Sequence, residues 1–345
     1  MKAIVKTAPG EDQLAYMDFP EPSPGENEVK IRVVYAGICG TDLSIRKGTF
    51  KSYPPVVMGH EYSGIVDSVG AGVSKFKKGD RVVSETAQVI CGTCYQCLSG
   101  HYLMCDKRLS IGYGVNGALA EYIVVRQEIV HRVPDTVEMD EAAMCEPAAC
   151  AFHAVFDHVH VKPVHTVLII GPGAMGQLAA QFAMLAGANV IVCGTAADKP
   201  RLDLVQSLGA KTLVVEPDTD TVARILALNN GEEIDIAFDC AGVADSINCC
   251  LNSLKRRGSL VAVGLSKPTI NFDYNLIPMR ELKVYGSYAH INSSWSGALA
   301  VMASGRLKLK PLMSRKFAFS EWEAAFEALV NSDGVKVLLQ PDGDA

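Results

Sequence analysis

Two hydrophobic patterns divide the chain. In the first part, short apolar runs alternate with polar positions, as in 3–5 and 29–34, and turns rich in glycine and proline separate them. Alternation with a period of two predicts strands with one buried face. Similar runs recur at 64–70 and 79–83 and are bounded by glycine. Many short strands at this spacing predict a β-barrel or a β-sandwich.

A second pattern begins near residue 164. The run 166–170 is apolar at every position, which is typical of a parallel strand buried on both faces. A helical pattern follows and stops at Gly187, and a second apolar strand is predicted at 189–193. The alternation continues with helices predicted over 201–209, 221–229 and 244–254 and strands over 211–215, 234–239 and 258–265. This pattern predicts an α/β domain with a parallel sheet.

Residues 295–332 do not continue this alternation. They predict two helices separated by a loop near Pro311.

The turn after the first parallel strand carries a glycine motif. It reads Gly171-Pro172-Gly173-Ala174-Met175-Gly176. The order strand, G-x-G-x-x-G, helix, strand is that of the dinucleotide-binding fold. Glycines let the backbone approach a pyrophosphate, and the helix N-terminus stabilises its negative charge. The sequence therefore predicts a dinucleotide site at this turn.

The cysteines indicate metal binding rather than disulfides. The chain has 345 residues and 11 cysteines, an odd number, and its first residues lack the apolar core of a secretory signal. Four cysteines have the spacing C-x2-C-x2-C-x7-C, namely Cys91, Cys94, Cys97 and Cys105. Four thiolates can surround zinc and leave no position for water, as in a structural site. An iron–sulfur cluster is the alternative for this spacing.

A second candidate metal site lies between Gly37 and Glu61. This segment, rich in glycine and proline, contains Cys39, His60 and Glu61, and zinc takes all three ligand types. Three protein ligands leave a fourth position for water or substrate, as in a catalytic site. Further along, Glu146 stands near the start of a predicted helix, where the helix dipole favours a carboxylate.

Composition narrows the class of protein. Hydrophobic residues make up 49% and charged residues 20%, which is typical of a globular protein. A net charge of -6 argues against a nucleic-acid partner. No apolar run approaches the roughly 18 residues of a membrane span. We therefore expect a cytoplasmic protein of about two domains with no membrane partner.

In their order along the chain, these motifs resemble those of the zinc-containing medium-chain alcohol dehydrogenases, in the branch of the sorbitol (polyol) and threonine dehydrogenases. The resemblance covers essentially the whole length. It implies an α/β protein with a GroES-like β-barrel catalytic domain at 1–155, which includes the four-cysteine segment. It also implies a Rossmann doubly wound parallel-sheet domain at 156–288 and a C-terminal return to the catalytic domain at 289–345. A homodimer or homotetramer is implied as well.

The resemblance also implies roles for the candidate metal ligands. Cys39 and His60 match the catalytic zinc ligands, and Glu61 and Glu146 are two acids that compete for one further position. The four spaced cysteines match the structural zinc ligands, so two zinc ions per chain are expected.

Proton transfer has its own implied residues. Thr41 matches the hydroxyl that passes the substrate's proton outward. Relatives often carry histidine three residues later, where this chain has Ser44, so the outer path is expected to use Asp42 or water.

The implied cofactor is NAD or NADP. NAD-binding relatives place an acid after the second strand of the dinucleotide domain, but here Gly194 and Thr195 follow it and the next acid is Asp198. Without that acid, Thr195, Lys199 and Arg201 can bind a 2'-phosphate, so we expect NADP; the alternative is that Asp198 reaches the ribose. The expected cofactor-binding residues are Gly171, Gly173, Ala174, Met175, Gly176, Gly194, Thr195, Arg201, Val263, Gly264, Leu265, Ser287 and Tyr288.

The implied reaction is hydride transfer between NAD(P) and a secondary alcohol of a polyol, sugar acid or sugar phosphate. A threonine or amino-alcohol dehydrogenase is the alternative, and a non-catalytic family member is a remoter one. Polyol-type relatives use an arginine after the sheet domain, but 286–290 contains none. Tyr288 and His290 are the candidates there for contact with a substrate hydroxyl.

Overall fold

A computed structural model describes residues 1–266, 268–331 and 334–343. The chain divides into two compact units. The discontinuous unit contains Met1–Ala149 and Ile291–Ala345, and the inserted unit contains Cys150–His290. The catalytic and dinucleotide-binding roles given above to residue ranges stay predictions.

The elements of the first segment are mainly short strands. They are β1 (Lys2–Lys6), β2 (Leu14–Asp18), β3 (Glu28–Gly37), α1 (Gly40–Arg46), β4 (Val56–Val57), β5 (Glu61–Val69), β6 (Arg81–Ser84), α2 (Tyr95–Leu98), β7 (Tyr122–Arg126), β8 (Val130–Arg132), α3 (Met139–Ala142) and α4 (Cys145–Phe152).

Strands and helices then alternate. The elements are β9 (Thr166–Ile170), α5 (Ala174–Leu185), β10 (Asn189–Thr195), α6 (Lys199–Ser207), β11 (Lys211–Val215), α7 (Thr221–Leu228), β12 (Ile234–Asp239), α8 (Ala244–Ser253), β13 (Leu254–Ala262), α9 (Leu276–Met279) and β14 (Lys283–Gly286). The final elements are α10 (Asn292–Ala303), β15 (Met313–Ala318), α11 (Trp322–Val330) and β16 (Lys336–Gln340).

In the discontinuous unit, β3 is the central strand. It pairs antiparallel with β5, β7 and β16, within a sheet ordered β15-β16-β3-β5-β6-β8, and β1, β2 and β4 form a second sheet. The register sets Gly37 opposite both Glu61 of β5 and Leu338 of β16. This pairing brings three distant parts of the chain to one end of β3.

The inserted unit contains a parallel sheet of six strands. Its order is β11-β10-β9-β12-β13-β14, and every neighbouring pair is parallel. All five residues of β9 are buried, as its uninterrupted apolar sequence predicts. From β9 the chain first adds β10 and β11 on one side of the sheet and then β12, β13 and β14 on the other. Ligands of such sheets bind at the carboxyl ends of the strands where the direction of addition changes.

The structure corrects the element predictions at three places. The predicted helices within 295–332 are present, but strand β15 lies between them and β16 follows, so the region also completes a sheet. Strand β13 starts at Leu254 rather than at Gly258 and ends before Val263. A helix, α1, lies within the Gly37–Glu61 segment, where no helix or strand had been predicted. Strands β15 and β16 form because they pair with strands that are distant in sequence, and this pairing cannot be seen in a short stretch of sequence.

Among the described residues, the model contains no helix with the length and apolar character that a bilayer span requires.

Candidate metal and dinucleotide sites

Three predicted ligands meet at the end of β3. One ligand atom each from Cys39, His60 and Glu61 lies within 4.8 Å of the other two. Cys39 is the N-cap of α1, and His60 and Glu61 stand at the start of β5, opposite Gly37. His60 is 6% exposed and Glu61 is 1% exposed. Thiolate, imidazole and carboxylate are a donor set that fits zinc.

Asp42 lies next to Cys39 and His60 of this cluster. Its side chain is fully buried, its Oδ2 accepts a hydrogen bond from the Cys39 N–H at 2.9 Å, and its Oδ1 lies 3.8 Å from His60 Nδ1. The Nδ1 side of the ring therefore faces a carboxylate, which leaves Nε2 available to a metal. At 3.8 Å the two atoms are too far apart for a hydrogen bond, so Asp42 acts on the imidazole through its charge.

The surroundings shift the pKa values of both His60 and Asp42. Burial lowers the pKa of His60, but the charges of Asp42 and Glu146 and a hydrogen bond with Cys39 outweigh burial and raise that pKa well above its usual value. Burial raises the pKa of Asp42, and the charge of His60 partly offsets it. Asp42 is fully buried, and its expected part in the outer proton path stays a prediction.

Glu61 has an unforeseen partner. Lys336 of β16 forms an ion pair with Glu61 Oε2, and the two side chains are 2% and 1% exposed. Burial lowers the pKa of Lys336, but the charges of Glu61 and Cys39 outweigh burial and raise it. Sequence patterns could not link residues so far apart, since only the pairing of β16 with β3 brings Lys336 to this site.

The remaining predicted catalytic residues lie nearby. Glu146, in the first turn of α4, does not belong to the three-ligand cluster, although its charge contributes to the raised pKa of His60. Thr41 is half-buried in the first turn of α1, two residues after Cys39. The competition between Glu61 and Glu146 for a metal therefore stays a prediction.

The four spaced cysteines also converge. The sulfur atoms of Cys91, Cys94, Cys97 and Cys105 all lie within 4.8 Å of one another. Backbone N–H groups of Thr93 and Cys94 lower the pKa of Cys91 to about 6, while burial and the neighbouring thiols raise the pKa of Cys97 to about 12. A donor set of four thiols fits a closed zinc site. We call residues 91–105 the cysteine lobe.

A buried carboxylate ties the cysteine lobe to the rest of its unit. Glu85 is fully buried and accepts hydrogen bonds from Tyr102 Oη of the lobe and from Asn292 Nδ2 at 2.8 Å. His131 Nε2 lies 2.9 Å from the same carboxylate, and the His131 ring stacks on Trp295. The lobe is therefore anchored to β8 and to the start of α10.

In the inserted unit, the glycine turn joins β9 to α5. Gly171 has φ +100°, a conformation that favours glycine, and a side chain at Gly176 would collide with the Gly171 carbonyl oxygen. Gly173, the N-cap of α5, has no heavy atom within 4 Å of a hypothetical Cβ. Open space before a helix N-terminus fits a pyrophosphate, as the motif predicts. Ala174 and Met175 form the first turn of α5.

A small polar cluster follows β10. Asp198 Oδ2 accepts hydrogen bonds from the Thr195 N–H at 3.0 Å and from its hydroxyl at 2.9 Å, and Asp198 Oδ1 lies 3.4 Å from Arg201 Nη1. Gly194 stands just before this turn and has no room for a side chain, because Pro172 and Asp198 crowd it. The acid and the base expected to decide between NAD and NADP are thus paired with each other.

Asp239 organises the loops after β12 and β13. It is fully buried and accepts hydrogen bonds from the Ala241 and Gly242 N–H groups and from Ser246 Oγ. Its carbonyl oxygen accepts from the N–H groups of Val263 and Gly264. The predicted residues 263–265 thus follow β13 directly, and Ser287 and Tyr288 follow β14, at the same edge of the sheet.

Comparisons with known proteins identify the class. Residues 25–135 match the family model of the alcohol dehydrogenase GroES-like domain, and residues 174–304 match that of the zinc-binding dehydrogenases. The chain belongs to the zinc-binding alcohol dehydrogenase family, and is an oxidoreductase that acts on CH–OH groups.

Individual relatives cover nearly the whole chain. It is 36% identical to the sorbitol dehydrogenase of Halalkalibacterium halodurans, over 99% of both chains. It is also 36% identical to the D-arabitol-phosphate dehydrogenase of Enterococcus avium, over 99% of this chain and 97% of that one. A zinc-binding dehydrogenase from Sinorhizobium meliloti, solved with NADP, superposes with a TM-score of 0.91 at 31% identity and 99% coverage of both chains.

Proposed function

We propose that this protein is a zinc-dependent dehydrogenase that transfers a hydride between NAD(P) and a secondary alcohol of a polyol or polyol phosphate. The observation that carries the proposal is the convergence of Cys39, which is partly exposed, with the buried side chains of His60 and Glu61. Relatives that act on sorbitol and on D-arabitol phosphate, each 36% identical over nearly the full length, support this substrate class over threonine.

Each residue at the proposed metal centre has a separate role. Cys39 and His60 hold the ion, and either Glu61 or Glu146 supplies the next ligand. Asp42 positions the imidazole through the Nδ1 side of the ring. Zinc bound here would lower the pKa of a substrate hydroxyl. Thr41 Oγ1 would accept the hydroxyl proton and release its own hydroxyl proton to water.

We propose NADP as the preferred cofactor. The cofactor would supply the hydride acceptor, and residues of this chain would orient it. The glycine turn and the N-terminus of α5 bind the pyrophosphate. Strand β10 ends at Thr195, where NAD enzymes have the acid that holds the ribose. Arg201 would exchange its ion pair with Asp198 for the 2'-phosphate, since its planar group binds phosphate through two parallel hydrogen bonds.

The proposal includes a second zinc in the cysteine lobe, with a structural role. A cytoplasmic location and a homodimeric or homotetrameric assembly also belong to the proposal.

The test is a substrate screen with both cofactors, combined with metal analysis. Purified protein is assayed for NAD(P)H absorbance with sorbitol, arabitol, their phosphates and threonine. We expect polyol or polyol-phosphate oxidation, two zinc ions per chain, and loss of activity in Cys39→Ser with one zinc retained. Preferential threonine oxidation would overturn the substrate class. A hundredfold preference for NAD would overturn the cofactor assignment alone.

A further inference from the structure

A cavity of about 320 Å³ lies in the discontinuous unit, between the segment after α1 and the cysteine lobe. The side chains of interest in its wall are Phe50, Lys51, Tyr53, Asp106, Arg108 and Tyr113. We propose that this cavity binds the phosphate of a polyol phosphate whose secondary hydroxyl is oxidised at the metal centre. The inference rests on the proposed function and names its substrate more narrowly.

Tyr113 connects the cavity to the metal centre. Its ring lies 6.3 Å from the His60 ring, centroid to centroid, and 5.2 Å from the Phe50 ring, in both cases edge to face. The Tyr113 carbonyl oxygen accepts a hydrogen bond from the Tyr53 N–H at 2.9 Å, which fixes the two walls relative to each other. The cavity wall and the candidate metal centre therefore adjoin at the Tyr113 ring.

The cavity wall supplies two cations. Lys51 is exposed at the rim with its Nζ 5.1 Å from the centre of the Tyr53 ring. Arg108 is half-buried, and its backbone N–H donates to the Cys105 carbonyl oxygen at 3.0 Å, so the cysteine lobe holds it in place. Arginine pairs with phosphate through two parallel hydrogen bonds, and lysine acts as a mobile point charge.

The mixture of groups favours a phosphate over a carboxylate. Aromatic rings line the path along which the carbon chain would lie, and few polar groups then fix its orientation. A phosphate monoester carries a charge between about -1.5 and -2 at pH 7, whereas a carboxylate carries a charge of -1. Two cations therefore balance the charge of the phosphate better than that of the carboxylate. Asp106 adds a negative charge to the wall and opposes an anion, so its removal should strengthen binding.

The test compares kcat/KM for matched substrates. Arabitol phosphate, arabitol and an arabinonic acid are assayed with the wild type and with Lys51→Gln, Arg108→Gln and Arg108→Lys. We expect the wild type to prefer the phosphate by at least tenfold. Each glutamine variant should lower the phosphate-to-arabitol ratio by about 10- to 100-fold, the range for a hydrogen bond to a charged group. Arg108→Lys should lose less.

Two further variants control the comparison. Lys107→Gln removes a neighbouring exposed cation that lies outside the cavity wall, and should leave the ratio within about twofold. Asp106→Asn should raise the ratio. Competitive inhibition by inorganic phosphate, weakened in Arg108→Gln, gives an independent readout of the subsite.

The outcomes separate this inference from the proposed function. Oxidation of arabitol with no preference for its phosphate, or an equal loss in Lys107→Gln and Arg108→Gln, would overturn the phosphate subsite and leave the dehydrogenase intact. Preference for the sugar acid would likewise overturn it. Zinc-loaded protein that oxidises neither these substrates nor sorbitol and its phosphate would overturn both.

Discussion

Replacement of Lys336 by methionine tests the buried ion pair with Glu61. Both side chains are nearly inaccessible, at 2% and 1% exposure, and methionine fills a similar volume without a charge. The variant leaves Glu61 buried without its counter-ion. Removal of one partner of such a pair typically costs about 3–5 kcal/mol.

We therefore expect Lys336→Met to lose about 3–5 kcal/mol of unfolding free energy at pH 7, because the Glu61 carboxylate stays buried without a counter-ion.

Unfolding by guanidinium chloride, followed by the fluorescence of the two tryptophans, Trp295 and Trp322, measures this loss. Both lie in the discontinuous unit. Lys316→Met is the matched control, because its pair with Asp140 at 2.7 Å is partly exposed and should contribute at most about 1 kcal/mol.

The double variant Glu61→Gln/Lys336→Met completes the experiment. It removes both charges and should recover most of the loss. Equal effects of Lys336→Met and Lys316→Met, or a double variant as unstable as Lys336→Met, would refute the reasoning. Saturating zinc should also reduce the loss, since the ion can take the place of the lysine as counter-charge.

Four further substitutions test other features. Asp42→Asn should lower zinc affinity about 10- to 100-fold by weakening the support of the imidazole, as measured by chelator competition; unchanged affinity would contradict that role. Cys97→Ser should bind one zinc fewer and unfold at a lower temperature, with mass spectrometry as the readout; unchanged zinc content would argue against the lobe site. Gly173→Ala should fold normally but weaken NAD(P) binding by about tenfold in a fluorescence titration, because the added methyl fills the open cradle; full affinity would contradict the cradle. The pKa of Asp80 is lowered, since hydrogen bonds from the Lys77 N–H and from Arg132 outweigh burial. Its contribution to stability is thus present above about pH 4 and is lost as the pH falls through the lowered pKa, so the gap between wild type and Asp80→Asn should close in acid denaturation curves below that pH; a gap independent of pH would refute it.

Much of the secondary structure of the inserted unit could be predicted from the local sequence. The strand 234–239 and the glycine turn were predictable because uninterrupted apolar runs and G-x-G-x-x-G leave few alternatives in the order strand, helix, strand. Strand β13 was misplaced because Lys255 to Arg257, which follow its first residue, are polar and exposed, and they lie in an irregularity between the pairs Ile234–Leu254 and Ile236–Ser259. The hydrophobic pattern alone underestimates the length of a strand whose residues near the start are exposed to solvent.

The candidate metal ligands could be recognised for a different reason, and their binding of zinc stays a prediction. Zinc restricts its ligands to a few residue types, so Cys39, His60 and the spaced cysteines were recognisable without knowledge of their packing. The groups that support them were not. Lys336, Glu85 and Asp239 are ordinary charged residues in sequence, and only strand pairing and burial reveal that each serves a distant site.

The position of Lys336 has a consequence for biosynthesis. A ribosome delivers Cys39, His60 and Glu61 early, but β16, which lies beside β3, leaves the exit tunnel only after the whole inserted unit has been made. During that interval the Glu61 carboxylate must stay hydrated or find a cation in solution. A metal captured by the nascent polypeptide would serve as a temporary counter-ion, so zinc supply during translation should influence the yield of folded enzyme.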